Sequence, residues 1–486
     1  MSNLEQGVPW DSMARLRSAL DGLNALPLPG EPPAVPLGPA GDHWFFREIA
    51  DGNYGPPLMA RLAEEFPDLA YIDGDHGLMV TGSAGRPAYI VTSPELVDAL
   101  LQKRTRELHR ARAMQMIKVL VGEGILTSEG DAHARQRRMA QPAFATPRLP
   151  HYVESITSST RSMLDEWTDG DVVDIEAQMN ALTMIIVARI LMGRDVSDEA
   201  GEFGRVQRDF MQQVLPALMR PDAPAEALTE GTSLHDMLRA TEALDAVVNR
   251  LIHEHRESGD SGDLLSALIE ARDDGEGMDD AQLRDEIFTL LFAGSDTTGR
   301  NATWACVMLA QHPRYAEWVA EEARDVLGDR EPDAEAFERL PRTRAVVLEA
   351  LRLYPPVWNL PRVAISDIPV GDWVIPAGAV ALVPVWVLQR DARWWDRPDE
   401  FIPERWLDAD GKVDERQPGQ PPGAWLPFGL GNRHCIAKRL APIEVTLILA
   451  LLMRDWTLEF PDGVAPTAVG SLAVRPDPPL LRVSRR

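Results

Sequence analysis

The sequence predicts one mainly α-helical domain with a small β-rich lobe, and three observations carry that expectation. From about residue 150 to 355 the chain reads almost wholly helical, with apolar residues at helical spacing in Thr183–Leu191 and across Asp280–Ala310. Short β-prone runs flank that block, at Gly77–Thr81 and Ala88–Thr92 before it and between 362 and 388 after it. No internal repeat or low-complexity linker interrupts residues 41–486, so this stretch reads as a single domain behind a lead-in over residues 1–40.

The lead-in is proline-rich (Pro27, Pro29, Pro32, Pro33, Pro36, Pro39), which forbids a regular helix or a central strand. The two β-prone runs that follow, split by a turn-rich GSAGRP segment, read as a hairpin. Ser93 then caps a helix with Pro94 at its first position. The Asp280–Ala310 pattern is ~30 residues, or ~45 Å at 1.5 Å per residue, long enough to cross a domain. Gly371, Pro376 and Gly378 punctuate the later strands, and a last helix is expected over Ala437–Met453, directly after Cys435.

Composition narrows the function classes. At 486 residues, 45% hydrophobic and 26% charged, the chain has the balance of a globular protein with a sizeable core. A formal net charge of −26 excludes a general nucleic-acid binder, which needs a basic stripe against phosphate. Cys306 and Cys435 make no disulfide framework, which points to a reducing compartment. The N-terminus lacks the apolar core of a secretory signal, and no run reaches the ~18 apolar residues of a membrane span. The expectation is therefore a cytoplasmic protein. Lys103, Lys118, Lys412 and Lys438 are the only lysines against many arginines, a coding bias of GC-rich bacterial genomes.

Pro427–Ala437 carries the strongest chemical signal. Gly429 and Gly431 permit a tight turn, Arg433 can hold an anion, and Cys435 precedes a helix start. A thiolate that ligates iron needs such N–H groups and positive charge around it. Taken alone, a cysteine is more often a buried structural residue in a glycine turn. In the long helix, Ala293, Gly294, Asp296 and Thr297 combine small size with an acid and a hydroxyl suited to moving protons. The competing reading is a kinked helix whose threonine bonds back to its own backbone. Glu349 and Arg352 share a helix face at i,i+3, as a surface pair also would. His133 and Arg137, at i,i+4, can grip one anion or simply face water.

Taken together, Phe428-x-x-Gly431-x-Arg433-x-Cys435, the Ala293–Thr298 run, Glu349-x-x-Arg352, the Arg405 segment and His133-x-x-x-Arg137 resemble the cytochrome P450 family, in its order and spacing. The resemblance extends from near residue 78 to the C-terminus. Ala437 departs from the pattern, which has glycine there. The resemblance implies haem b bound through Cys435, with Phe428, Ala293 and Gly294 beside it and His133, Arg137, Arg362 and Arg433 on its propionates. It implies proton delivery by Asp296 and Thr297, and a buried ion network of Glu349, Arg352 and Arg405. The implied reaction inserts one oxygen atom from O2 into a lipophilic small molecule. Electrons would come from NAD(P)H through a separate ferredoxin and ferredoxin reductase, since few residues follow Cys435. A peroxide-driven peroxygenase and a non-catalytic haem-thiolate sensor or carrier are the alternatives on the same fold.

The segments matching the family's variable, substrate-facing parts are roughly 105–125, 203–240, 356–361 and 466–473. Phe292, Val357, Trp358, Leu360, Val469 and Leu472 are the expected apolar wall, with Asn359 or Ser471 offering a hydrogen bond. Trp358 reads equally as a core residue. Arg110, Arg112, Arg433, Lys438 and Arg439 are the expected basic patch for an acidic redox partner.

Overall fold

The computed structural model describes residues 34–51, 53–74, 86–145, 148–215, 233–259, 262–333, 335–415, 419–470 and 473–486. Five short strands form the main sheet: β1 (Leu69–Ile72), β2 (Ala88–Val91), β3 (Leu108–Arg110), β4 (Leu360–Ala364) and β5 (Val380–Val383). Their order is β1-β2-β5-β4-β3, with β2 and β5 parallel and the other neighbours antiparallel. The expected hairpin arm at 77–81 lies outside the described residues, and so do residues 1–33 of the lead-in. β2 pairs instead with β1, a strand the sequence reading did not find. Ser93 accepts from the Leu96 N–H, with Pro94 at the first helical position, as expected.

The helices that frame the interior are α1 (Gly130–Ala140), α2 (Leu149–Asp165), α3 (Ile175–Met192), α4 (Ser197–Asp209), α5 (Ser233–Ser258), α6 (Asp280–Gln311), α7 (Pro313–Leu327), α8 (Pro341–Leu353) and α9 (Leu440–Asp455). α6 starts where Asp279 accepts from the Gln282 N–H, and ends at His312 because Pro313 cannot continue it. At 32 residues it is the central rod. α3 is long and apolar enough by composition to cross a membrane, yet 56% of it is buried inside the protein. It lies along α6, and glycines set the approach. A methyl at Gly294 would lie 2.9 Å from Val187 Cγ2, and one at Gly299 would lie 2.4 Å from Asn180 Oδ1. The Thr183 hydroxyl seals this contact by donating to the Ser295 carbonyl at 2.9 Å. Gly294 therefore earns its place in part by helix packing, which the sequence reading did not anticipate.

One expected boundary moves. The last helix begins at Leu440, and residues 436–439 form turns, so Cys435 is not at a helix N-terminus. Pro442 in the first turn of α9 fits a start at Leu440, because its missing N–H is unneeded there.

Candidate active site

A cavity of about 300 Å³ lies between α6 and the 426–445 segment, the size of a ligand site. Its walls are mostly apolar, with Leu290, Ala293 and Gly294 on the α6 side and Phe428, Ile436 and Ala437 on the other. Cys435 borders it.

The Cys435 loop is fixed by its glycines. Gly429 and Gly431 have φ of 69° and 71°, and a Cβ on Gly431 would sit 2.0 Å from the Leu101 carbonyl oxygen. The Cys435 N–H donates to the Phe428 carbonyl at 2.8 Å, closing the turn. Burial pushes the Cys435 thiol up, while the Ala437 N–H, Arg137 and Lys438 act the other way. Here the stabilising N–H comes from the 436–439 turn, in place of the expected helix terminus.

At one end of the cavity stand Arg110, His133, Arg137, Arg362 and Arg433. Arg137 donates to the His434 carbonyl at 2.8 Å and contacts the His434 ring at 2.8 Å. Arg433 pairs with Glu129, leaving its Nη1 buried and without a partner among the described residues. Among the described residues, Arg362 donates only to the Pro361 carbonyl, at 2.9 Å. Burial lowers the Arg362 pKa to about 10 with Arg433 adding to the shift. His133 is pushed down to about 3, mainly by burial and further by Arg433, Arg110 and Arg137.

On α6, Thr297 borders the cavity and its hydroxyl donates to the Ala293 carbonyl at 2.7 Å. Asp296 is not among the lining residues. Arg300 grips both its carboxylate oxygens, at 2.8 and 2.9 Å, and reaches Glu176 at 3.2 Å.

The sequence model described as Cytochrome P450 matches residues 72–482. The chain is 35% identical over 392 residues to cyclooctat-9-en-7-ol 5-monooxygenase of Streptomyces melanosporofaciens, covering 79% of this chain and 83% of that protein. It is 33% identical over 436 residues to cyclooctatin synthase of the same organism, covering 86% and 91%. The chain belongs to the cytochrome P450 family. Its fold is shared with the cytochrome P450DA haem domain, at a TM-score of 0.77 and 24% identity, over 93% of this chain and 98% of that one. The protein is a P450 monooxygenase.

The residues present fit the haem that the family carries. A thiol sits at the cavity wall beside an N–H and two cations, and buried arginine N–H groups lack acceptors at one end. Haem propionates would supply those acceptors. Ala293, Gly294 and Phe428 border the same space.

Elsewhere the P450 frame corrects several expectations. Glu349, Arg352 and Arg405 do meet, away from the cavity, with Glu349 and Arg352 at 0% exposure. Among the expected substrate residues, Val357 and Leu360 border the cavity, together with Asn359. Trp358 does not; it is buried at 1% exposure against Tyr54, the core reading. Phe292 is buried in the core beside the cavity walls, its carbonyl taken by Gln207 at 3.1 Å. Val469 lies in a two-stranded ribbon and is not a lining residue, and Leu472 and Ser471 fall outside the described residues. Met114, Ile125 and Leu126 line the cavity and were missed individually, although the 105–125 segment was flagged. Arg110, read as part of a docking patch, borders the cavity.

Proposed function

We propose that this P450 oxygenates a terpenoid-like lipophilic substrate, by hydroxylation or epoxidation, in secondary metabolism. The observation that carries the reading is the cavity itself. Away from its cationic end, Met114, Ile125, Leu126, Leu290, Val357 and Leu360 offer apolar surface, worth roughly 25 cal/mol per Å² buried. The two Streptomyces relatives support it: one is named for an unsaturated alcohol, cyclooctat-9-en-7-ol, and the other for cyclooctatin.

Bound haem supplies the iron at which O2 is reduced and one oxygen atom is passed to substrate. Cys435 supplies the thiolate, and the Ala437 N–H, Arg137 and Lys438 hold its negative charge. The Thr297 hydroxyl, fixed by its bond to the Ala293 carbonyl, keeps its lone pairs free to take a proton bound for the oxygen side. Asp296 is the proton source in this reading, and it must leave Arg300 to serve. Asn359, whose side chain is without a hydrogen bond among the described residues, orients a polar group of the substrate. Electrons come from NAD(P)H through a ferredoxin and its reductase, docking near exposed Lys438 and Arg439 in the cytoplasm.

The test is a spectral titration with terpenoid, polyketide and strongly polar ligands. Displacement of iron-bound water by the apolar ligands is the expected result. A response to polar ligands alone contradicts the reading.

A further inference from the structure

The Thr289 hydroxyl differs from its neighbours on α6. Ser295, Thr297 and Thr303 each donate to a carbonyl one turn back, at Leu291, Ala293 and Gly299, over 2.9, 2.7 and 2.8 Å. Thr289 does not. It is 1% exposed, its Oγ1 is buried without a partner among the described residues, and it borders the cavity. A buried hydroxyl left without a bond is costly, so the position calls for a polar group on the cavity side.

The segment packed against Thr289 spends its own carbonyls elsewhere. A Cβ on Gly124 would lie 2.1 Å from Thr289 Oγ1, so the chain comes this close only because residue 124 has no side chain. The Gly122 carbonyl accepts from the Thr127 hydroxyl at 2.6 Å, and the Glu123 carbonyl from Gln136 Nε2 at 2.7 Å. The Gly124 carbonyl takes the N–H groups of Thr127 and Ser128. Glu286, one turn before Thr289 on the same helix face, is fully buried. Its Oε2 accepts from the Ile125 N–H at 3.0 Å, and its Oε1 has no partner among the described residues. Burial raises the Glu286 pKa to about 8, so this carboxyl is mostly uncharged at neutral pH. At the cavity wall itself, Ile125, Leu126 and Leu290 surround Thr289 with apolar surface.

Resting on the terpenoid reading of this cavity, we infer that Thr289 is a specificity residue that hydrogen-bonds a hydroxyl already present on the substrate. A neutral hydroxyl both donates and accepts, as the threonine does, and it can be buried among these side chains without stranding a charge. Thr289 lies roughly two helical turns, ~12 Å at 1.5 Å per residue, from Thr297. A substrate held there presents a carbon remote from its hydroxyl near Thr297. The substrate is thus an alcohol that is oxidised a second time, away from its first oxygen.

The experiment measures dissociation constants by haem spectral titration, using sesquiterpene and diterpene alcohols, each beside its parent hydrocarbon. Wild-type, Thr289→Val and Thr289→Ser holoproteins are compared. Valine keeps the shape of threonine without the hydroxyl, and serine keeps the hydroxyl. The readout is the ratio of alcohol to hydrocarbon affinity, because comparing it between variants cancels the ligands' own hydration. In T289V the ratio is expected to fall about five- to thirtyfold with hydrocarbon binding nearly unchanged, and in T289S to stay within about threefold of wild type. An unchanged ratio in T289V overturns the inference and leaves the terpenoid reading standing, as does equal loss of both ligands. If neither alcohols nor hydrocarbons bind the wild type, the terpenoid reading itself falls and the inference with it. Should T289V not retain haem, T289A is read by the same ratio and decides.

Discussion

Two buried charge clusters in this P450 show how differently the same residue types can be used. Around Glu349 the accounts close. Its oxygens accept from Arg352 at 2.8 and 3.0 Å, Arg405 at 3.1 Å, Trp406 at 2.9 Å and the Ile402 N–H at 2.9 Å. Arg352 spends its remaining donors on the carbonyls of Gln389, Pro398 and Glu400. At the cavity end, Arg110, Arg362 and Arg433 face one carboxylate, and buried N–H groups are left over. A complete cluster holds a fold together. An incomplete one of single sign is a socket for an ion of the other sign.

That contrast is broken most severely at Glu349. Glu349→Ala leaves Arg352 charged and buried, and the expected loss is ~3–5 kcal/mol of stability, read by denaturant unfolding. A loss below about 1 kcal/mol would mean that water or neighbours complete Arg352 after all.

A different kind of effect is expected on α6, where Thr297 borders the cavity. Thr297→Ala removes the hydroxyl that borders the cavity, and product per reductant consumed is expected to fall, with the electrons diverted to peroxide. A general acid–base contribution of about 10²-fold sets the scale of that loss. Unchanged coupling between reductant and product would remove Thr297 from the proton path.

The exposed basic residues beside the Cys435 loop should matter less. Lys438→Glu with Arg439→Glu is expected to slow reduction by a ferredoxin several-fold at low salt and much less at high salt, because screening weakens exposed pairs. Rates independent of ionic strength would place the docking elsewhere.

A pH dependence sharpens the comparison in the haem-free protein. His133 has a pKa near 3 in the folded protein against 6.5 for the free side chain, mainly because it is buried. Between those values the unfolded chain binds the proton and the folded one does not, so stability rises with pH. Its contribution is present above about pH 6.5 and is lost as pH falls toward 3. His133→Gln should flatten this acid limb in the haem-free protein, and an unaltered slope would show that other groups set it.

Much of this was legible in the sequence because local chemistry encoded it. The Cys435 turn requires glycine at 429 and 431, Glu349 and Arg352 share a face by helical spacing, and the apolar pattern from Asp280 to Ala310 runs the length of α6. What stayed hidden depends on contacts distant in sequence. Arg110 became a cavity residue only through its register with Arg362, a partner from beyond the helical block. Trp358 and Phe292 sit next to lining residues, and neighbours in sequence can face opposite ways. Gly294 answers to Val187 on α3 as well as to the cavity, which no local pattern records.

The claim on which the site rests is that Cys435 ligates the haem iron as a thiolate. The direct measurement is the absorption spectrum of the reduced protein under carbon monoxide. The strongly red-shifted Soret band of thiolate ligation is expected in the wild type and should be absent in Cys435→His. A wild-type band at the position given by a histidine ligand, or a band that survives Cys435→His unchanged, would contradict the assignment.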